Sequence, residues 1–429
     1  MRLLVLALLG TLALSAGDQQ QLGLALRAQA DFDRVQLAPV PRLEDASACQ
    51  QSQAALLPVA AREEVSTLHY HKGWCELVAA ALTRSAARFD DAAAEFQKAI
   101  DAWPARFAHA KAGTVEPVAS ALPVLAAVAR LNAGSGASIS EATLDSAGGQ
   151  IAAAETAEVC PASVMPAADC RRWLALGREW LGWMAIERED LREAAADFAG
   201  FAGSGWPEWV AGRQAFTQAR YSEAAADYSR AVENWDRLQR EPAPSLDARL
   251  GPHPEMPAVL ADLGGAQILA GDVRGAIATL DRAVKAGPDD ARALYLRARA
   301  KEKAGEEESA LADYGLASRT AFAEARNLAS GEAHLYRGIL LYRRNDYGRA
   351  EEEFASALNF DIPQSLRGDA VAWRHLAAVA GGACEASRVE LGQSLGSVSP
   401  FFPKEEADRR MAACSAGGAG GQVGAAPLN

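Results

Sequence analysis

The chain has 429 residues and a mass of 45.2 kDa, which exceeds the usual size of one compact domain and predicts several domains or one elongated array of repeats. Its formal net charge is −12, and no cluster of Lys or Arg forms the basic surface that nucleic-acid binding needs, so that role is excluded. Acidic runs at 306–308 and 351–353 follow the helical period and indicate solvated helix faces. Abundant Ala and few aromatic residues favour an all-α protein.

The first segment has the pattern of a secretory signal peptide. Arg2 precedes an apolar run from Leu3 to Leu14, and the small residues Ser15, Ala16 and Gly17 follow. We therefore expect residues 1–17 to be removed and the protein to be secreted or periplasmic. No segment has the roughly 20 apolar residues that a membrane-spanning helix requires, so no membrane span is predicted.

Residues 18–72 are predicted to form an N-terminal helical cap. Helices are expected over 18–32 and 43–60, separated by a linker that contains Pro39 and Pro41. From residue 73 onwards the sequence becomes repetitive.

The repeat is an anchor Ala, then an aromatic residue or Leu four positions later, then a small residue three positions further on. A Gly or Ala lies twelve positions before each anchor, which predicts a close crossing of two helices. Pro residues often end the second helix. The copies are Ala92-Phe96-Ala99, Ala194-Phe198-Phe201, Ala224-Tyr228-Ala231, Ala276-Leu280-Ala283, Ala310-Tyr314-Ala317 and Ala350-Phe354-Ala357.

This pattern resembles the tetratricopeptide repeat family, whose unit of about 34 residues is a helix-turn-helix. Ala276 and Ala310 have that spacing. The resemblance implies an all-α fold, a right-handed superhelical solenoid of such repeats. Repeats are predicted at 73–106, 175–238, 257–324 and 331–364, with two units in each longer range.

The intervening segments depart from the repeat pattern. A degenerate helix pair and a disulfide loop are expected over 107–172, with the helices near 116–132 and 138–158. A Pro-rich surface loop is expected over 239–256, where a bend or flexibility could reside. A C-terminal helical cap over 365–414 and a disordered Gly-rich tail over 415–429 complete the chain.

Six cysteines in an exported chain predict disulfides, of which fifteen connectivities are possible. Distant cysteines rarely meet in an elongated array, so we predict pairing in sequence order. The alternative of a metal shared by His71 and Cys75, four residues apart, lacks further ligands. The predicted pairs are Cys49 with Cys75, Cys160 with Cys170, and Cys384 with Cys414.

The family resemblance implies a binding groove lined by the first helix of each pair. An aromatic and Arg surface of that kind is typical of peptide-binding hot spots. The competing interpretation is that the Trp side chains pack between neighbouring repeats. The predicted groove residues are Trp183, Trp209, Arg213, Phe216, Tyr295, Arg299, Tyr342 and Arg343, with Ile186, Glu187, Lys303 and Ile339 at equivalent positions.

No catalytic motif accompanies the six histidines, and no P-loop, zinc-protease or nucleophile-elbow pattern is found. The sequence therefore predicts a non-enzyme with no cofactor and no metal. The favoured function is an exported scaffold that binds a protein or peptide partner in its groove. The alternative is a glycan or cell-wall binding module, since aromatic rings also stack on sugars.

Overall fold

The computed structural model describes residues 15–38, 41–62, 64–106, 121–134, 140–157, 167–240, 246–320, 328–360 and 362–416. Within these ranges the regular structure is helical, as predicted. The chain divides into two compact units. Unit 1 comprises Met1–Ala211 and Glu233–His253, and unit 2 comprises Gly212–Val232 and Pro254–Asn429.

Unit 1 contains a series of helices in which most successive helices pack against one another. A 3₁₀ turn, Leu57–Val59, follows the second helix. Helices α9 and α10 contribute residues to both units. The helices to this point are α1 Ala16–Gln36, α2 Leu43–Leu56, α3 Val65–Thr83, α4 Ala86–Arg106, α5 Ala121–Gly134, α6 Glu141–Ala157, α7 Ala167–Glu187, α8 Leu191–Phe198, α9 Trp206–Thr217, α10 Tyr221–Arg240 and α11 Leu246–Leu250.

Unit 2 continues the helix pairs. Its first helices, α12, α14 and α16, contact one another in series as well as their own second helices, α13, α15 and α17. The remaining helices are α12 Met256–Ala270, α13 Val273–Ala286, α14 Ala291–Lys303, α15 Glu307–Thr320, α16 Leu328–Arg343, α17 Tyr347–Ala357, α18 Gln364–Ala380, α19 Cys384–Ser394 and α20 Lys404–Ala416.

The local sequence explains where these helices begin. The Asp272 side chain accepts a hydrogen bond from the amide of Gly275, and Asp290 accepts one from the amide of Ala293. Each carboxylate satisfies an amide that has no partner within its helix and lies at the positive end of the helix dipole. Gly271 ends α12 in the left-handed region, which glycine adopts without a steric penalty.

In the four copies where the small residue of the first helix is Gly, it lies directly under the ring or Leu of the anchor. A Cβ atom added at Gly212 would lie 2.6 Å from the Tyr228 ring, and one at Gly338 would lie 2.7 Å from the Phe354 ring. Gly182 and Gly264 have the same relation to Phe198 and Leu280. The small residue and the anchor residue of the sequence pattern therefore contact each other and join the two helices of a pair. In the first copy Gly73 also touches the Phe96 ring, although Ala80 has the predicted spacing.

Four copies have a buried or partly buried acidic residue, in an ion pair, three positions after the anchor Ala. Glu95 accepts hydrogen bonds from Lys72 on the first helix of its pair and from Lys98 on its own helix. Asp313 is paired with Arg297 and Lys301 on the preceding first helix. The same position holds Asp227, paired with Arg230, and Glu353, paired with His334 and Arg337.

The prediction that acidic residues occupy solvated faces is therefore wrong for Glu353, whose carboxylate joins helices α16 and α17. Glu306 to Glu308 are exposed, as predicted. The sequence alone did not distinguish Glu353 from the exposed Glu306 to Glu308. Helix periodicity shows which residues share a face, but not what covers that face.

Two of the three predicted disulfides lie in the described part of the chain, and both are formed. Cys49–Cys75 joins α2 to α3 with a Cα–Cα distance of 6.1 Å. Cys384–Cys414 joins the start of α19 to the end of α20 with a distance of 5.5 Å. The predicted Cys160–Cys170 bond involves Cys160, which lies outside the described residues.

The Pro-rich segment 239–256 is not a simple surface loop, and this prediction is corrected. It contains the end of α10 and the short helix α11, whose Leu250 is 0% exposed in the core of unit 1. The Leu250 carbonyl oxygen accepts hydrogen bonds from Trp180 Nε1 and Asn132 Nδ2, each 2.9 Å long. The proline residues interrupt regular helix, but the intervening Leu anchors the segment.

Both predicted caps contain helices, and the first cap helix is longer than predicted. The first cap helix extends from residue 16 to 36, and Ser15 caps it with a reciprocal hydrogen-bond pair to Asp18. The C-terminal cap contains three helices, α18 to α20. The predicted signal core at 1–14 and the tail from 417 onwards lie outside the described residues.

Candidate functional site

The first helices of unit 2 carry several of the predicted groove residues, and their surface shows whether these side chains are accessible. We call the side of α14 and α16 that carries Tyr295, Arg299 and Tyr336 the first-helix face. Residues 295, 299 and 303 are each four positions apart, so they follow one side of α14.

A compact aromatic and cationic cluster occupies this face. The Arg299 guanidinium carbon lies 3.7 Å from the centre of the Tyr336 ring, and its Nη1 donates to Tyr295 Oη at 3.4 Å. The rings of Tyr295 and Tyr336 have centroids 6.0 Å apart. Burial raises the pKa of Tyr295 well above its usual range, so its phenol stays neutral at physiological pH.

A second polar link lies next to this cluster. Tyr314 Oη donates to Glu302 Oε2 at 2.8 Å, and Arg343 Nη1 donates to Glu302 Oε1 at 2.9 Å. Glu302 therefore connects α14 to α15 and α16. The predicted groove residue Arg343 is thus present on the surface, but its charge is already matched by Glu302.

Arg299 differs from the other arginines of α14 and α16. Within these two helices, each of the others forms an ion pair: Arg292 with Asp262, Arg297 with Asp313, Arg337 with Glu353, and Arg343 with Glu302. Arg299 is half-buried, and within the described part of the chain its contacts are with tyrosines and not carboxylates. Among these arginines it is the cation available to an incoming anion.

Tyr342, predicted to line the groove, is buried and not accessible. It is 3% exposed, its ring packs on Trp373 and Tyr347, and its hydroxyl lies 3.4 Å from Glu406 of α20. Arg410 of α20 extends over the Tyr347 ring. The C-terminal helix covers this part of α16, which the sequence did not reveal because the contact joins residues 64 positions apart.

The predicted Trp residues belong mainly to the core. Trp209 is 8% exposed and lies edge-on to Trp206, with centroids 6.1 Å apart. Trp183 is partly buried beside Trp180. The interpretation that these rings seal neighbouring helices thus describes them better than groove exposure.

The remaining predicted positions near the repeat at 212–232 are more accessible. Phe216 is 36% exposed and makes an edge contact with Tyr221, with centroids 5.4 Å apart. Arg213 is partly buried and close enough to Tyr228 to influence its pKa. Both lie on α9, whereas the Arg299 cluster lies on α14 and α16.

The histidine and cysteine cluster considered for a metal has other partners. Cys75 is bonded to Cys49, which removes its thiolate as a ligand. The His71 ring stacks on Phe32 with centroids 3.7 Å apart, and His69 Nδ1 contacts Glu95 Oε2 at 2.7 Å. These contacts give each group a structural role, so the metal interpretation is not retained.

Sequence reasoning missed Tyr336 and Glu302, which complete the surroundings of Arg299. Tyr336 precedes the small residue Gly338 by two positions, outside the groove positions that the family resemblance implies. Its partner Arg299 lies on the preceding first helix, so only the packing of α14 against α16 joins them.

The comparisons with known proteins agree with the helix-pair architecture. The sequence profile of the tetratricopeptide repeat matches residues 215–300. No curated protein matches the chain significantly. Within the described residues no helix is both long and apolar enough to cross a bilayer.

Several solved structures are similar at low sequence identity. A tetratricopeptide repeat protein of Thermus thermophilus is 16% identical over 49% of this chain and 99% of its own, with a TM-score of 0.32. Yeast Tom70 is 11% identical over 93% and 96% of the two chains, with a TM-score of 0.37. A signal transduction ATPase of Pyrococcus horikoshii with a tetratricopeptide repeat sensor is 12% identical over 85% and 57%, with a TM-score of 0.44.

These likenesses concern the fold alone. The profile match includes the anchors Ala224 and Ala276 and ends before the anchor Ala310, and within it a Cβ at Gly264 would lie against the Leu280 side chain. Residues 215–300 therefore carry the tetratricopeptide repeat, and they lie within an all-helical architecture of packed helix pairs.

Proposed function

We propose that this protein is an exported scaffold that binds a protein or peptide partner on the first-helix face of unit 2. The tetratricopeptide fold is that of a protein–protein interaction scaffold, and such repeats are generally non-catalytic. The observation that supports this surface is the half-buried Arg299 held between Tyr295 and Tyr336 without a carboxylate partner in the described residues.

Tyr and Arg side chains suit peptide recognition because they give a large contact area and lose little conformational entropy on binding. Here Tyr295 is buried and holds Arg299, whereas Arg299 and Tyr336 are partly exposed and can meet a partner. The contacts among the three side chains restrict their rotamers before a partner arrives. Preorganisation of this kind lowers the entropic cost of association. A peptide therefore fits this surface better than an enzyme substrate, for which the sequence offers no catalytic motif.

The glycan alternative depended on accessible aromatic rings that could stack on sugars. Stacking on sugars requires flat, accessible rings, whereas Trp173, Trp180, Trp206 and Trp209 are buried. The buried rings therefore favour a peptide partner over a sugar.

Site-specific photocrosslinking tests the binding surface. A photoreactive residue placed at the exposed Lys303 of α14 should give discrete adducts in the native envelope, because it follows Tyr295 and Arg299 on one side of the helix. The exposed Glu352 of α17 is the matched control on a second helix. Tyr336→Ala should reduce adducts from position 303 only.

Equal adducts from positions 303 and 352, or no discrete adduct from 303, would count against the proposed surface. Trp209→Ala is not a suitable test variant, because removal of a buried ring destabilises the fold whether or not a partner binds there.

Export is a separate part of the proposal. It is supported by the apolar segment at 3–14 and by the two disulfides, which form in oxidising compartments. Mass spectrometry of the protein from its native cell should find a mature N-terminus near Gly17 or Asp18. Recovery of the intact Met1 terminus from the reduced cytosol would contradict export.

A further inference from the structure

We infer that α20 is a removable cover over Tyr342 of α16, which the Cys384–Cys414 disulfide holds in place and a dithiol reductant releases. The inference goes beyond the proposed function because it concerns regulation, and only the use of the uncovered surface by a partner rests on that function. It is supported by what α20 covers, by how little of α20 is buried and by the exposure of its disulfide.

The helix α20 lies on tyrosine side chains of the preceding helix pair. The Tyr342 hydroxyl donates to the Glu406 carboxylate at 3.4 Å, and Arg410 Nη2 donates to the Tyr347 hydroxyl at 3.2 Å. Tyr342 is 3% exposed, although the repeat pattern places it in the groove. The next residue of α16, Arg343, is exposed and reaches across to α14. The cover therefore begins where the accessible surface of α16 ends.

Few apolar side chains attach α20 to the rest of unit 2. Among residues 404–414, Ala407 is buried, and Met411 and Cys414 are partly buried against the core of the C-terminal pairs. The neighbouring helix α18 instead buries large residues such as Trp373 and Leu376. A helix of 13 residues is marginal in water without a packed apolar face. The disulfide, which joins cysteines 30 positions apart, therefore supplies a large part of the attachment.

The charged residues of α20 add little further attachment. Glu406 forms its ion pairs with Arg409 and Arg410, which lie on the same helix. These pairs stabilise the helix itself and do not join it to its neighbours. Among residues 404–414, the charged side chains reach other helices at the Tyr342 and Tyr347 hydroxyls. Hydrogen bonds between such groups contribute little net stability, because water replaces them when the surface opens.

The start of α20 is attached more firmly than its end. Phe402, just before the helix, is 4% exposed and lies edge-on to Trp373, with ring centroids 5.3 Å apart. Ser399 donates to the Asp369 carboxylate through its amide at 2.7 Å and its hydroxyl at 2.6 Å. The connection before α20 therefore stays in place when the disulfide opens, and the helix is released from its C-terminal end.

The disulfide of α20 is accessible to thiols, whereas the other described disulfide is not. Cys384 and Cys414 are both partly exposed, but Cys49 and Cys75 are each 0% exposed. Thiol–disulfide exchange requires a thiolate to reach a sulfur atom. A dithiol should therefore open the C-terminal bond of the native protein and leave the buried bond intact.

The exchange proceeds in two displacements. One thiolate of the dithiol attacks a sulfur atom of the Cys384–Cys414 bond, forms a mixed disulfide and displaces the other cysteine as a thiolate. The second thiol of the reductant then attacks the mixed disulfide and releases the remaining cysteine. Two electrons pass to the protein, both cysteines end as thiols, and the dithiol becomes a cyclic disulfide.

Native-state reduction of the full-length protein with dithiothreitol, followed by alkylation, tests the cover. Peptide mapping should find Cys384 and Cys414 alkylated, with Cys49 and Cys75 still bonded. Hydrogen exchange in α20 should accelerate about tenfold or more, whereas protection in α14 and α15 should stay as in the oxidised protein.

Nitration with tetranitromethane reports directly on Tyr342. Its hydroxyl should become reactive once the cover is released, and peptide mapping locates the modified ring. Tyr295 is the matched control, because it is also buried but is not covered by α20. Its reactivity should be equal in the oxidised protein and in the reduced, alkylated protein.

Two double variants separate the disulfide from other effects of the reductant. Cys384→Ser with Cys414→Ser should show fast exchange in α20 without dithiothreitol and no further change with it. Cys49→Ala with Cys75→Ala keeps the C-terminal bond, so its α20 should still be released by the reductant. Circular dichroism confirms that each variant keeps its helical content.

The results distinguish this inference from the proposed function. If α20 stays protected and Tyr342 stays unreactive after the Cys384–Cys414 bond is open, the helix is held by its own contacts and the inference is wrong. It is also wrong if dithiothreitol leaves this bond intact in the folded protein. Neither result affects the adducts expected from position 303, and a failure of those adducts would leave the release of α20 standing.

Discussion

At the scale of single residues, the short sequence patterns correspond to specific side-chain contacts in the structure. The rings of Phe198, Tyr228 and Phe354 each cover a glycine on the partner helix, and the acids Glu95 and Asp313 are buried and ion-paired. Both depend on side chains that a helix places on the same face. Two substitutions test these contacts directly.

Glu95 should make the stability of unit 1 depend on pH. Burial alone would raise the pKa of Glu95, but hydrogen bonds from His69, Lys98 and Lys72 outweigh it and hold the pKa at about 2. A depressed pKa stabilises the fold above the ordinary carboxyl pKa, and that contribution is lost as the pH falls from about 4.5 towards 2. The contribution at neutral pH is on the order of 3 kcal/mol.

Urea unfolding of wild type and Glu95→Gln between pH 6 and pH 2 checks this prediction. The variant should be less stable at pH 6, and the difference should shrink as Glu95 becomes protonated. Glu352→Gln, at an exposed position, should show no such convergence. A difference that is constant across the range would show that Glu95 acts by packing and not by charge.

The glycine under the anchor ring gives a second prediction. Gly338→Ala should destabilise the protein by about 1–3 kcal/mol, because its Cβ would lie 2.7 Å from the Phe354 ring and force the ring or the helix to move. Gly348→Ala, in α17 with no atom within 4 Å of its Cβ, should instead stabilise by about 0.5–1 kcal/mol. Thermal unfolding of both variants would detect these opposite shifts, and equal shifts would refute the close-contact explanation.

At the scale of elements, the helices are bounded by local chemistry and then joined by long-range bonds. Asp residues cap several helices, and the two disulfides join helices that are neighbours in sequence. The short helix α11 shows the opposite case. Its sequence suggests a loop, but its single buried Leu and two side-chain hydrogen bonds attach it to α5 and α7.

Removal of the Cys49–Cys75 disulfide should destabilise the protein by about 3 kcal/mol, since the bond closes a loop of 26 residues in the unfolded chain. The variant Cys49→Ala with Cys75→Ala keeps small apolar side chains at these buried positions. Denaturant unfolding of oxidised wild type and variant measures the loss. A reductant should lower the wild-type midpoint more than that of the variant, and an equal response in both would contradict the assignment.

At the scale of the whole molecule, each compact unit is a series of helix pairs in which neighbouring pairs pack on one another. In such arrays stability is nearly a sum of terms from each repeat and each interface. The ion pairs between first and second helices, such as Arg297 with Asp313, lie within these repeats. A local defect should therefore stay local.

Hydrogen exchange of Gly338→Ala should show this confinement within unit 2. Protection should fall in α16, α17 and the adjacent helices α14, α15 and α18, which contact them directly or across one pair. Protection in α12 and α13 should stay close to that of wild type. A uniform loss across all these helices would indicate that unit 2 unfolds as one cooperative block.

The sequence by itself determined the helix pairs, the anchor contacts and the pairing of Cys49 with Cys75 and Cys384 with Cys414. These features follow from local spacing, because residues three and four apart share a helix face and neighbouring pairs meet in order. Only the tertiary structure decided which candidate residues are available for binding. Tyr342 and Trp209 are covered, Arg343 is neutralised, and Arg299 lies against Tyr336. Availability depends on what lies opposite a side chain, and the spacing of residues along one helix does not contain that information.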